Sequence, residues 1–374
     1  MKITVTTAEL SRMAGLVQGT IPLRPPVPIT THVLLEACAG ELLVHATDLT
    51  LTTSVSGEAA VDEEGGVVLS GRRFFQMARD MLADTMRITA EEGETVLLSG
   101  GTARFALHGL RQNTFPELPN PAEAETISLD GEQLRTVLYK ALASSARYDD
   151  RQILNTVMIR LEEDTGTFFG ADGRRLSRVT IEMAAKAETK REYVLPRKAV
   201  EEMVKMLHRK EKVDLLFFSD KIGIKTGSGS IVTLLVSGRY PAVELIIPSD
   251  PATIVPLHRE ELMSLLKQFS IFVEGDGVHG IRFILEEGEL TLEADRHDIG
   301  SGRVTMPADH KGEPFTSVYD PVLFYELLRQ SSDETVSFSF FGPSRPAMIT
   351  DSTTAKFVLM PMRISQESPP HPSP

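Results

Sequence analysis

The chain has 374 residues, 41% hydrophobic and 24% charged, with a formal net charge of −13. That usage excludes a largely disordered chain, leaves room for two or three domains, and argues against a generic nucleic-acid binder without saying where positive charge sits. No apolar run reaches the ~18 residues of a membrane helix, MKITVTTAEL lacks the apolar core of a secretory signal, and a single cysteine, Cys38, excludes a disulfide framework and an all-cysteine zinc site and suits a reducing cytoplasm.

In chain order, the first predicted element is an amphipathic helix over 7–20, apolar at Leu10, Met13, Ala14 and Val17. ATDLTLTTSV follows, with Asp48 leading into the period-two run Leu49-Thr50-Leu51-Thr52, which reads as a strand. A second helix covers GRRFFQMARDML (71–82), and NTFPEL, with Pro116, closes the segment. LPNPAEAET (118–126) reads as a linker. The next helix, 130–147, is apolar at Leu134, Val137, Leu138 and Ala141, and ADGRRLSRVTIE carries Asp172. Then come the helix PRKAVEEMVKML (196–207), the alternating strand 221–225, and GRYPAVEL with Pro241. A second linker lies near IPSDPAT (247–253). Helix 258–272 is apolar at Leu262, Leu265, Leu266 and Phe269, and EADRHDIGSGRVTM carries Asp295. DPVLFYELLRQS (320–331) is the last helix, strand 336–340 follows, and VLMPMRI with Pro361 ends the patterned region. Pro196 and Pro321 stand where proline is tolerated, at helix starts. The Pro/Ser-rich stretch SQESPPHPSP reads as a disordered tail.

This order is a repeat. The first helix recurs at offsets of 124 and 128 residues, and the aspartates at 124 and 123. The expected fold class is α+β: three repeated domains, each with two helices packed on antiparallel sheet. The domains are 1–122, 123–250 and 251–364, with the tail at 365–374.

Charge is segregated within that plan. The six helical segments, taken as 7–20, 71–82, 130–147, 196–212, 258–272 and 320–331, carry 16 Lys/Arg against 11 Asp/Glu. The remainder sums to −18. Cationic helices can focus a field toward a polyanion, and a solvated face with no ligand accounts for the same excess. There is no G-x-x-x-x-G-K-[ST] loop, no H-E-x-x-H and no G-x-S-x-G elbow. TGSGS (226–230) and GDGVHG (275–280) lie between strand patterns and read as hairpin turns. His108, His279 and His297 read as surface or turn residues. Because Asp48, Asp172 and Asp295 recur with the repeat, they read as turn residues, not as a catalytic acid. No catalytic residue, metal site or cofactor site is expected.

Together the three-fold repeat, Pro196-Arg197-Lys198, the DGRRL of 172–176, the GRYP of 238–241 and the near-terminal VLMPMRI resemble the bacterial beta sliding clamp, the DNA polymerase III beta subunit, over residues 1–364. The resemblance implies a non-catalytic processivity subunit: a ring-shaped head-to-tail homodimer that encircles duplex DNA regardless of sequence. It implies as partners the replicative polymerase catalytic subunit, the clamp loader, and other polymerases and repair proteins carrying clamp-binding peptides; no membrane is involved and the location is cytoplasmic. The DNA-facing residues it implies are Arg24, Arg72, Arg73, Arg151, Arg197 and Lys198, although Gln152 and Ile153 follow Arg151 where the family often has aromatics. The implied peptide pocket comprises Leu154, Gly173, Arg174, Arg175, Leu176, Pro241, Ile246, Val358, Leu359, Met360, Pro361 and Met362. Arg174, Ala171 and Leu245 depart from residues common there, which points to a preference for acidic or more apolar peptide flanks. Two rivals remain from the residues themselves: a three-repeat scaffold that binds peptides but not DNA, and a cytosolic enzyme with an unrecognised site.

Overall fold

A computed structural model describes residues 1–25, 27–90, 95–207, 210–272, 280–296 and 299–362, with the side chains of 184–189 also outside it. His279, His297, most of GDGVHG and the tail 365–374 lie outside the described residues. Six α-helices are present among the described residues: α1 (Thr7–Gln18), α2 (Gly71–Asp80), α3 (Gly131–Leu142), α4 (Arg197–Met206), α5 (Arg259–Gln268) and α6 (Pro321–Leu328). Every apolar position expected on the recurring first helix is buried in α1, α3 and α5 or in the 3-10 turn that continues α5. The helices form where an amphipathic face meets a capping residue. Thr6 accepts from the Glu9 amide at 3.2 Å, and Asp320 accepts from the Val322 and Leu323 amides.

All six helices end sooner than expected, α1 at Gln18 and α2 at Asp80 by two residues each. α3 stops at Leu142, α4 at Met206, α5 at Gln268 and α6 at Leu328. The cationic excess shrinks with them: over the observed helices, 11 Lys/Arg face 8 Asp/Glu. A second correction falls at Leu49–Thr52. Leu49 and Thr50 belong to a turn, and the strand runs Leu51–Glu58. Asp48 Oδ1 accepts the Thr50 and Leu51 amides at 2.9 and 2.7 Å, and the turn leaves Leu49 at φ +75°.

The chain forms two compact units. The first comprises Met1–Thr136, Met183–Glu188 and Tyr193–Ser237. It holds two antiparallel sheets. One has five strands in the order 60–63, 2–6, 85–90, 95–100, 103–108. The other has nine, in the order 110–111, 65–70, 32–38, 41–47, 51–58, 229–234, 221–226, 212–217, 125–130. The longer sheet therefore joins strands of the first and second repeats through the pair Thr53↔Ile231. Gly229 permits that seam. It adopts φ +152°, and a Cβ would lie 2.2 Å from the Ser54 carbonyl oxygen. Helices α1 and α2 pack together, and α4 packs on the strand 229–234.

The second unit comprises Val137–Glu182, Thr189–Glu192 and Gly238–Pro374. Its six-stranded sheet runs 156–171, 175–196, 356–359, 347–350, 335–340, 253–258; a four-stranded sheet runs 300–307, 289–296, 281–286, 315–319. Between them sits an aromatic core. Phe283 stacks on Phe324 at 4.9 Å between centroids, Phe338 meets Phe324 at 5.0 Å, and Tyr319 lies edge-on to Phe283 at 5.2 Å. Lys140 of α3 is buried against Asp351 at 2.8 Å and Thr353 at 2.9 Å, so this helical cation serves the core.

The repeat is visible atom by atom. Thr20 Oγ1 meets Thr53 Oγ1 at 2.6 Å, and 124 residues on Ser144 Oγ meets Ser177 Oγ at 2.6 Å, both pairs buried. The Asp48 turn closes with Asp48 N–H donating to Leu51 O, and the Asp172 turn with Asp172 N–H donating to Arg175 O. Asp295 instead stands in a strand opposite Ser301. TGSGS is a hairpin turn between 221–226 and 229–234, as expected.

Candidate peptide pocket and cationic faces

The Asp172 turn organises the first candidate site. Asp172 Oδ1 accepts the Arg174 and Arg175 amides, both at 2.9 Å. Gly173 takes φ +86°, which a side chain would strain. Asp172 Oδ2 receives Arg175 Nε at 3.0 Å, and Arg175 Nη1 donates to Glu326 of α6 at 2.6 Å. Arg175 is 10% exposed, so its charge anchors the turn to α6 and is not offered outward. Arg174 points to the rim, where Nη1 sits 3.3 Å from Asp320 at the start of α6.

The strand 356–359 pairs with the residues that follow this turn, Arg175 opposite Leu359 and Leu176 opposite Val358. Met360 N–H donates to Arg174 O, and Met362 N–H to Val318 O, both at 2.8 Å, so the chain through Pro361 is pinned on both sides. Leu154, Leu176, Val358 and Leu359 are buried. The outward apolar groups are Met360, Ile246 and Leu245, the last 87% exposed. Ile246 and Leu245 sit in a 3-10 turn, 243–246, next to Pro241. That turn is tied to the strand 156–171 by Arg160, whose Nη1 lies 2.6 Å from Glu244. The hydrogen bond from Arg160 holds the Glu244 carboxyl below its usual range. Tyr240, three residues before the turn, is buried, and desolvation pushes its phenol well above the ordinary value.

The expected DNA-facing residues divide into two classes. Arg24, Arg72 and Arg73 are exposed and have no ion pair among the described residues. The other three are paired. Arg151 grips Asp149 through Nε and Nη2, both at 2.9 Å, and that guanidinium holds the Asp149 carboxyl down at about 2. Arg197 Nε lies 2.8 Å from Glu201. Lys198 Nζ sits 2.7 Å from Asp48 and 3.2 Å from Thr20 O. Burial works to raise the Asp48 pKa, but hydrogen bonds from Lys198, Thr50 and Leu51 outweigh it and the net shift is downward. Among the described residues, no group of three His, Cys, Asp or Glu could hold a metal, and no helix is long and apolar enough to cross a membrane.

Three sequence profiles cover nearly the whole chain: the N-terminal domain of the DNA polymerase III beta subunit over 1–119, its central domain over 128–242 and its C-terminal domain over 244–363. The beta sliding clamp of Chlamydia muridarum is 34% identical over 98% of this chain and all of its own length. The chain belongs to the beta sliding clamp family. The fold agrees. A DNA polymerase sliding clamp from Bacillus subtilis superposes with a TM-score of 0.91 at 20% identity, covering 97% of this chain and 99% of the other. A sliding clamp from Pseudomonas aeruginosa, solved bound to griselimycin, gives 0.91 at 22% identity over 97% and 100%.

Sequence reasoning missed Asp320 and Glu326 as the anchors of Arg174 and Arg175 in this clamp. Asp320-Pro321 was readable as a helix start, but nothing in the sequence said that α6 begins against the Asp172 turn.

Proposed function

We propose that this chain is a non-catalytic DNA sliding clamp: two copies close head-to-tail around duplex DNA, tether the replicative polymerase, and recruit the clamp loader, other polymerases and repair proteins through the pocket around the Asp172 turn. The reading rests on one observation, the helix-on-sheet domain repeated through the whole chain and matched by the family domain by domain. Work in the cytoplasm fits the same reading. Ring closure is supported by two open sheet edges. Strand 103–108 ends the five-stranded sheet and strand 300–307 ends the four-stranded one. The first edge borders a cavity of about 540 Å³ lined by Met77, Met81, Leu82 and Phe105; the second neighbours exposed Ile299. Open edges with apolar flanks are liabilities unless another chain covers them. Head-to-tail pairing of 103–108 with 300–307 of a second copy covers both.

Arg24, Arg72 and Arg73 provide the phosphate contacts in this reading. Such contacts are sequence-independent and salt-sensitive, which suits sliding. The outward Met360, Ile246 and Leu245 provide a deformable apolar seat for peptide side chains. The test is topological. With its loader and ATP, the protein should stay on a closed circular duplex at high salt and be lost when the circle is cut. Loss from the closed circle at the same rate as from the cut one refutes the clamp.

A further inference from the structure

We infer that Arg160 is a positioning residue of the peptide site: its guanidinium, set between Glu192 and Glu244, holds the turn that presents Leu245 and Ile246. The inference rests on the clamp reading and adds to it a residue outside the pocket that the resemblance implied. The turn is weakly built. It is a single 3-10 turn, Val243–Ile246, and Ala242 before it supplies no side-chain cap. Val243, Leu245 and Ile247 N–H donate to Pro241 O, Ala242 O and Glu244 O at 2.7, 3.1 and 3.2 Å, none more than three residues away. One such turn fixes little by itself. Of its four side chains Val243 is buried, while Leu245 and Ile246 face solvent. The fourth, Glu244, meets Arg160.

Arg160 is set before Glu244 reaches it. Its side chain is largely buried, and its guanidinium lies over the buried Phe169 ring, 5.1 Å from the centroid. Nε donates to Glu192 at 2.9 Å, which leaves Nη1 aimed at Glu244 Oε2, 2.6 Å away. The element that carries Arg160, 156–171, begins directly after the 3-10 turn of Leu154 and ends at the Asp172 turn. The bridge to Glu244 therefore sets Leu245 and Ile246 relative to the same element that positions Leu154 and Gly173. Glu192 and Glu244 are both partly exposed, so the two ion pairs contribute little to global stability. Their effect falls on where the turn sits. A seat formed for only a fraction of the time binds its peptide with an affinity reduced by that fraction.

The experiment titrates a labelled peptide of Gln-Leu-x-Leu-Phe pattern into the full-length protein and follows the Ile246 δ1 methyl by NMR, assigned through Ile246→Val. Glu244→Ala should weaken binding by about five-fold, as a seat formed one-fifth of the time would, and should shift or broaden the Ile246 methyl. Arg160→Met, which keeps an apolar stem on Phe169, should do the same. The double variant should lose no more than either single one, because both remove one link. Glu192→Ala breaks the other hydrogen bond of the same guanidinium and leaves the turn attached, so it should bind within about two-fold of wild type. Glu244 and Glu192 are partly exposed, so their variants decide the matter even where Arg160→Met costs stability. If Glu192→Ala loses as much as Glu244→Ala, the loss is a general one of local structure and the inference is wrong. If Glu244→Ala weakens binding while a folded Arg160→Met does not, Glu244 touches the peptide itself and the inference is again wrong. If both bind like wild type with the Ile246 methyl unmoved, Arg160 positions nothing and the clamp reading stands. A folded wild type that does not bind the peptide sinks the peptide-site reading, and this inference with it.

Discussion

The Asp48 and Asp172 turns are the same backbone device used for different ends. In each, one carboxylate oxygen takes two successive amides and fixes a hairpin between buried strands. The second oxygen sets the difference. At Asp48 it takes Lys198 from α4, which is half-exposed and also reaches Thr20 O. At Asp172 it takes Arg175, a largely buried residue of the same turn that reaches on to Glu326. One turn pairs a cation of the candidate DNA face; the other ties the candidate peptide site to α6 through Arg175 and Glu326. Repetition therefore preserves the backbone hydrogen-bond pattern and leaves the side-chain partner free to diverge.

The largest expected effect comes from removing the more buried of the two. Asp172→Ala takes the caps from two amides and leaves the Arg175 guanidinium with Glu326 alone, which should lower unfolding stability by about 2–3 kcal/mol. Chemical denaturation reads the loss, and a labelled clamp-binding peptide of Gln-Leu-x-Leu-Phe pattern should bind several-fold more weakly. Stability within ~0.5 kcal/mol of wild type would show that the pocket base does not depend on this turn.

Asp48 separates capping from pairing. Asp48→Asn keeps the oxygen that takes the amides and loses the charge facing Lys198, so the cost should stay below about 1 kcal/mol, whereas Asp48→Ala should cost about 1–2 kcal/mol. Because the folded pKa of Asp48 lies below the ordinary 3.8, its contribution is present above that value and is lost as pH falls through the folded pKa. Wild type should therefore lose its advantage over Asp48→Asn on acidification, as followed by denaturation at stepped pH. The released Lys198 should also steepen the salt dependence of duplex binding by up to about one phosphate. An Asp48→Asn protein as damaged as Asp48→Ala would make the ion pair, not the cap, the dominant interaction.

The smallest effect lies beside the pocket. Asp149 should titrate near 2 in a carboxyl-resolved NMR experiment, and Arg151→Ala should return it toward 3.8. The pair's contribution is present above 3.8 and disappears only as pH falls through about 2. A wild-type midpoint already near 3.8 would show Arg151 to be free in solution, restoring it as a phosphate contact.

Much of this architecture was legible from one dimension. The apolar positions of the three recurring helices, Leu10, Leu134 and Leu262 among them, are all buried, because a 3.6-residue period and a hydrophobic face are local properties written directly in residue order. The spacing of Asp48 and Asp172 likewise announced turns, since an Asx cap needs only residues within three positions of itself. What residue order left open was every pairing between distant segments: whether Lys198 faces solvent or Asp48, whether Arg175 points out or toward Glu326, and that Val358 and Leu359 are buried while Leu245 is exposed. A cation's sign and spacing are fixed by the chain. Whether a carboxylate from 150 residues away lies within 3 Å of it is decided only when sheets and helices pack, and that contact determines whether the charge is spent inside the protein or remains available to a ligand.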